Sequence, residues 1–193
     1  EHQTHARLGW LIILATLPLL FLGLPLKLLL EFLREDATLI ALVIAATTIG
    51  FGALLWFADV RGRRDRDEHS LGWRGALTIG LFQAIAIIPG TSRSGITITA
   101  GLFLGLTRQA ASRFSFLLSI PTIAMAGALE TRELLQSTAP VDWTALFWGA
   151  LLSFVVAYLT VTLFLRFIER LSMLPFVLYR FVLGGVILFL VLL

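Results

Sequence analysis

No cysteine occurs anywhere in the chain, which excludes disulfides, thiolate metal sites and a cysteine nucleophile. Charge is also scarce. Asp, Glu, Lys and Arg together make up 14% of the residues against 58% that are hydrophobic, and mean hydropathy is +0.93. That exceeds what the core of a soluble domain needs, so the chain reads as an integral membrane protein. Its 193 residues suffice for a single integral membrane domain, one helical bundle, and leave no room for a second. The chain starts at Glu1 without a basic segment before the first apolar run, unlike a signal peptide. It reads as beginning inside a longer protein.

The little charge present is unevenly spread. Net charge is +3 and the isoelectric point about 10.2, but the basic residues occupy short connecting loops and form no broad face. That distribution argues against a nucleic-acid partner. It is orientation information instead, because Lys and Arg accumulate in cytoplasmic loops.

Apolar runs cover residues 8–26 (interrupted by Pro18, Gly23 and Pro25), 38–58, 113–129 (broken by Pro121), 144–165 and 174–193. Each is close to the roughly 20 residues that cross a bilayer as a helix, so about five spanning helices are expected. Residues 75–88 and 96–106 are apolar too but short. At about 1.5 Å per residue each reaches roughly 20 Å or less, against a hydrocarbon core of about 30 Å. A re-entrant helical hairpin over about 75–106, its polar tip near the midplane, fits these lengths. Gly101 and Gly105 would let its second half pack closely on a neighbour. Such a hairpin returns to its starting side, and loop charge then sorts consistently. Arg7, the arginines of 61–74, Arg108 and the Arg166/Arg170 turn fall on one face, while the net-acidic segments 27–36 and 130–143 fall on the other. The fold class is therefore an all-α, polytopic membrane bundle with its basic loops in the cytoplasm. All five tryptophans sit near the ends of apolar runs, as an interfacial belt requires.

Between the two short apolar pieces lies Pro89-Gly-Thr-Ser-Arg-Ser-Gly95. Pro89 and Gly90 end one half-helix, and the next can begin around Ser94 or Gly95 with a hydroxyl cap. Free N–H groups and a positive dipole at that end make an anion site. Thr91, Ser92 and Ser94 add hydroxyls, Arg93 adds a planar fork suited to phosphate oxygens, and Gly90 and Gly95 admit close backbone approach. Gln83, on the first half-helix, can hydrogen-bond the tip or its ligand. A plainer reading is a structural Pro-Gly break whose hydroxyls satisfy freed backbone groups. A third is the broken-helix solute site of a transporter. Arg180, several residues inside the last span, is either a further substrate contact or internally paired. Arg113, at the expected start of a helix, reads as structural. Asp65, Asp67 and Glu68 among arginines, with His69, read as a solvated ion-pair loop and not a metal site.

The run 83–121, QAIAIIPGTSRSGITITAGLFLGLTRQAASRFSFLLSIP, resembles the second signature region of the bacitracin-resistance type of undecaprenyl-diphosphate phosphatases, and Pro175-Phe176 with Tyr179-Arg180 resembles that family's last helix. The resemblance covers essentially the whole chain. It implies a multi-pass enzyme of the bacterial inner membrane that removes the terminal phosphate of undecaprenyl diphosphate, a polyprenyl diphosphate lipid, and so recycles the carrier for peptidoglycan synthesis. It further implies a divalent cation, magnesium or calcium, and two inverted halves, each with a re-entrant hairpin. Arg93 would clamp the diphosphate with Ser92, as catalytic residues, while Gly90, Thr91, Ser94, Gly95, Gln83 and Arg180 would bind substrate. A homodimer stays open, and a transporter or flippase for an anionic lipid or solute is the alternative function.

The family's earlier signature, rich in Glu with Ser-Ser-Thr-Gly-His, has no match in residues 1–82. The chain therefore looks like the C-terminal two-thirds of the enzyme. No metal-binding carboxylate pair, general base or nucleophilic histidine adjoins the heptad, so this polypeptide alone is expected to be inactive or severely impaired.

Overall fold

The computed structural model describes residues 2–137 and 140–193, so that Glu1 and two residues of the acidic 130–143 segment lie outside the description. Seven α-helices follow in order: α1 His2–Arg34, α2 Ala37–Arg61, α3 Trp73–Ile85, α4 Arg93–Phe103, α5 Arg108–Gln136, α6 Trp143–Phe167 and α7 Leu174–Leu192. Five are long and apolar enough to cross a membrane, namely α1, α2, α5, α6 and α7. The remaining two, of 13 and 11 residues, form the hairpin.

The hairpin is re-entrant by its backbone. The amides of Asp65 and Arg66, ahead of α3, donate to Gly105 O after α4, each at 3.1 Å, and Thr107 N donates back to Arg66 O at 2.9 Å. The chain thus leaves and returns at one level. Because α3 and α4 are too short to cross, their tip stops inside the bundle. The middle of α4 is enclosed on every side, with Ile96 through Leu102 all buried, as expected of a helix surrounded by others. It packs on α2, α3 and α5. Thr97 and Ser115, both buried, share a hydrogen bond of 2.7 Å that ties its second turn to α5. α6 is the opposite case, with no buried residue at all.

Two helices run further than their apolar runs suggest. α1 continues through Pro18 and Pro25 to Arg34, and α5 starts at Arg108 and passes Pro121 unbroken to Gln136, so Arg113 is interior and the loop begins only at Ser137. Each proline leaves one carbonyl without its helical donor, but membrane bundles re-satisfy such groups locally. Charged residues such as Lys27, Glu31, Glu130 and Arg132 are good helix formers at these ends. Asp36 makes the first true stop, its carboxylate capping α2 through the amides of Thr38 and Leu39 at 2.8 and 3.1 Å.

The basic face is held together by a carboxylate at the end of α2. Asp59, only 3% exposed, lies in the last turn of α2. Its oxygens accept from Arg108 Nε at 2.6 Å and Arg108 Nη2 at 3.1 Å, and from the backbone N–H of Met173 at 3.1 Å. One side chain thereby joins the end of α2 to the starts of α5 and α7. Glu68, also buried, pairs with Arg113 at 3.4 Å, and Arg7 donates to Leu71 O at 3.1 Å, placing the start of α1 on the same side. The solvated-loop reading holds for Arg63 and Asp65, which are paired but open to water, and fails for Glu68. The tryptophans are all exposed, from 49% at Trp56 to 71% at Trp10, which suits the interfacial belt.

Removing one partner of a buried ion pair strands the other charge, at about 3–5 kcal/mol. Asp59→Ala and Arg108→Ala should each lower the thermal stability of the detergent-solubilised protein by that order. The double variant should lose clearly less than the sum, and strict additivity would show that the pair is not coupled.

Candidate functional site

The heptad turns inside the bundle because of Gly90 and Ser92. Gly90 has φ +85°, and a Cβ there would lie 2.6 Å from Ile44 O of α2, so both backbone conformation and space require glycine. Ser92 adopts φ +67° and ψ 110° as the N-cap of α4, and its hydroxyl accepts from Gly95 N at 3.2 Å. A serine with positive φ is strained, and such strain gathers at functional sites. The helix starts at Arg93, earlier than the Ser94 or Gly95 expected from sequence. The amides of Arg93 and Ser94 precede any helical carbonyl that could accept them.

Carbonyls at the break are taken up from α2 and α7. Thr47 donates to Pro89 O at 2.7 Å and Thr48 to Gly90 O at 3.3 Å. Arg180 of α7 donates to Gly90 O at 2.8 Å, to Thr48 O at 3.1 Å and to Thr47 O at 3.3 Å. These are backbone oxygens, not anions. Arg93 is placed similarly, its Nη1 lying 3.4 Å from both Gln83 Oε1 and Ser115 O. Among the described residues the ion pairs are those of Arg63, Arg108 and Arg113, so Arg93 and Arg180 are half-buried cations without a carboxylate. A charge at that depth calls for an anionic partner.

The residues singled out in the sequence divide into three groups. Ser92, Ser94, Gly95 and Arg180 line one cavity of about 340 Å³, whose remaining wall is mostly apolar and includes Leu55, Ile98, Phe116, Phe164 and Phe176. Arg93 and Gln83 stand on the other flank of the same helix start, toward α3 and α5. Gln83 is 1% exposed and its Nε2 has no partner, while its Oε1 receives Arg93. Gly90 and Thr91 line no part of the cavity, although the Gly90 carbonyl receives Arg180. Thr91 is buried with its hydroxyl 3.4 Å from Ile85 O, and Gly90 packs on α2, so both shape the turn. Gly95 adds little space for a ligand, since a Cβ there would meet Ser92 Oγ at 3.1 Å.

Thr47, Thr48 and Ser115 escaped the sequence reading. The signal for the threonines was available, as two adjacent hydroxyls inside an apolar span commonly bond another segment. No carboxylate or imidazole lines the cavity. No group of three or more acidic or histidine side chains suited to a metal ion occurs among the described residues. A divalent cation therefore finds no ligand set at this tip from the described residues, and the donors here are cationic or neutral throughout.

Comparison with known proteins agrees in one direction. Residues 1–186 match the family described as bacitracin resistance protein BacA. The chain is 53% identical over 191 residues to undecaprenyl-diphosphatase 2 of Stutzerimonas stutzeri, covering 97% of this chain and 69% of that protein. It is 50% identical over 190 residues to the undecaprenyl-diphosphatase of Nitrosococcus oceani, covering 98% and 70%. Against the undecaprenyl-diphosphatase of Chromohalobacter salexigens it is 55% identical over 183 residues, covering 95% and 68%.

Gly90→Ala should undock the tip from α2, since the backbone strain alone amounts to roughly 1–3 kcal/mol. Gly149→Ala in α6, where a Cβ meets nothing within 4 Å, serves as control. Thermal melting in detergent should fall only for the first, and equal melting of the two would show that the turn does not need glycine.

Proposed function

We infer that this chain, which belongs to the bacitracin resistance protein BacA family, has the function named by its relatives: it is an undecaprenyl-diphosphatase. The reaction is hydrolysis of the terminal phosphate of undecaprenyl diphosphate, giving undecaprenyl phosphate for reuse in peptidoglycan synthesis. The protein is a multi-pass membrane protein, and the inner membrane is the compartment where this lipid carrier would be met.

One observation carries the assignment of the site. Two arginines without carboxylate partners, Arg93 and Arg180, flank the Ser92-capped start of α4. Together with the helix dipole and two free amides they form a concentrated positive field inside an apolar bundle. A diphosphate is a ligand of matching sign and multiplicity. In this reading Ser92 and Ser94 orient phosphate oxygens from the cavity side. Arg93 stabilises the charge that develops as the bond from the terminal phosphorus to the bridging oxygen breaks and undecaprenyl phosphate departs, and Gln83 fixes the Arg93 guanidinium through Oε1. Thr91 and Gly90 keep the tip in shape. The role is electrostatic, which is the larger part of phosphoryl-transfer catalysis. The attacking group and a divalent cation would have to come from elsewhere than the described residues around this tip, and no step is assigned to either.

In the full-length protein, Arg93→Ala should lower kcat/KM for phosphate release from farnesyl diphosphate by roughly a hundredfold or more. Malachite-green detection of phosphate, with and without magnesium, provides the measurement. Wild-type activity retained by Arg93→Ala would remove the arginine from this role. No release by the wild type in either condition, with movement of an anionic lipid across vesicles instead, would favour a flippase.

A further inference from the structure

Arg180 reaches the hairpin tip across a stretch of α2 that carries no side chain. α7 packs chiefly on α2, and Gly52, buried in α2, lies against the Arg180 stem. A Cβ at position 52 would stand 3.2 Å from Arg180 Cβ and 3.4 Å from both Arg180 Nε and a ring carbon of Phe181. In a helix a side chain leans over the turn N-terminal to its own Cα. A side chain at 52 would therefore cover the carbonyls about one turn earlier. Those are the oxygens of Thr48 and Thr47, which accept from Arg180 Nε at 3.1 Å and Nη2 at 3.3 Å. The same Nη2 goes on to Gly90 O at 2.8 Å. None of these three bonds uses Nη1, and the residue lines the cavity together with Ser92 and Ser94.

Resting on the diphosphatase reading, we propose that Gly52 is a positioning residue for that reaction: its missing side chain seats the Arg180 guanidinium on the Thr47 and Thr48 carbonyls, and so holds the cation where a phosphate group binds beside Ser92. Three bonds to backbone oxygens fix the guanidinium without neutralising it. A phosphate then meets a cation that is already ordered, which favours binding. Gly184, one turn after Arg180 and on the same face of α7, is the counterpart in this helix pair, since a Cβ there would lie 2.5 Å from Ile49 Cγ1 and 3.3 Å from Ala45 O. Of the two glycines, Gly52 is the one that meets the cation. An added methyl at 52 asks Arg180 and Phe181 to give by a few tenths of an ångström, so the fold survives while the seat shifts. Arg93, on the other flank of α4, is left in place. Substrate affinity should respond and the chemical step should not.

The test measures KM and kcat for farnesyl diphosphate in the full-length protein, for Gly52→Ala, Arg180→Gln, the two combined, and Gly50→Ala. The last is a control in the same helix, where a Cβ meets nothing within 4 Å. Gly52→Ala should raise KM roughly tenfold, as for loss of one hydrogen bond to a charged group, with kcat within twofold of the wild type. Arg180→Gln should raise KM at least as much. Adding Gly52→Ala to Arg180→Gln should then change KM by less than twofold, because the group through which the glycine acts is gone. A packing defect alone would weaken both backgrounds equally. Effects that multiply in the double variant, or a KM for Gly52→Ala no higher than that of Gly50→Ala, would overturn the proposal. A wild type that releases no phosphate from farnesyl diphosphate would instead overturn the diphosphatase reading on which it stands.

Discussion

A guanidinium inside a bilayer must find acceptors, and so must every carbonyl released by a broken helix. In this protein the two requirements answer each other. The Pro89-Gly90 break frees carbonyls at the hairpin tip, and Arg180 donates to one of them, Gly90 O, at 2.8 Å while also reaching two carbonyls of α2. Irregular backbone is tolerable at that depth only because protein surrounds it, and the surrounding protein includes the cation. Backbone oxygens satisfy hydrogen bonds without neutralising charge. The positive field at the tip therefore survives the packing that holds the tip in place, and it is this residual field that suits a diphosphate.

The bundle is organised by two such polar nodes of opposite logic. On the basic face, Asp59 receives Arg108 and the Met173 amide, so charge is cancelled and three helix ends are fixed. At the tip, Arg93 and Arg180 are bonded but not cancelled. A buried pair of the first type contributes mainly by being complete, since breaking it is far more costly than omitting it. The second type contributes nothing to stability beyond its hydrogen bonds, and its unspent charge is available for a ligand. The contrast between the two nodes separates what holds the hairpin at its depth from what the hairpin offers at its end.

Much of this was legible in the residues, for definite reasons. Run lengths alone identified the hairpin, because 13- and 11-residue helices cannot cross, and loop charge gave the sidedness that Arg7, Asp59 and Gly105 then realise in contacts. What sequence could not supply was direction. Arg93 and Ser92 are neighbours, yet one turns to Gln83 and Ser115 and the other into the cavity, because Ser92 is the cap at φ +67° and Arg93 the first residue on the helical path. Glu68 looked like a member of a solvated loop, since nothing in a local charge pattern announces that an arginine forty-five positions later will fold over it. The ends of α1 and α5 were misplaced for another reason. Proline stops a helix in water more firmly than in a bundle where neighbours and hydroxyls absorb the loss.

Ser92 shows how the two levels of constraint meet in one residue. Its φ of +67° is a conformation that glycine adopts without strain, and the heptad contains glycine on either side, at positions 90 and 95. Backbone economy alone would favour glycine at 92 as well. The side chain must then contribute something that offsets the strain, and its visible contacts are the cap to Gly95 N at 3.2 Å and the wall of the cavity. A cap is worth only about 1 kcal/mol, comparable to the lower end of the strain it accompanies. The cap and the cavity wall are thus the two contacts that a glycine at 92 would not supply, set at the junction where the free amides of α4 and the Arg180 guanidinium converge.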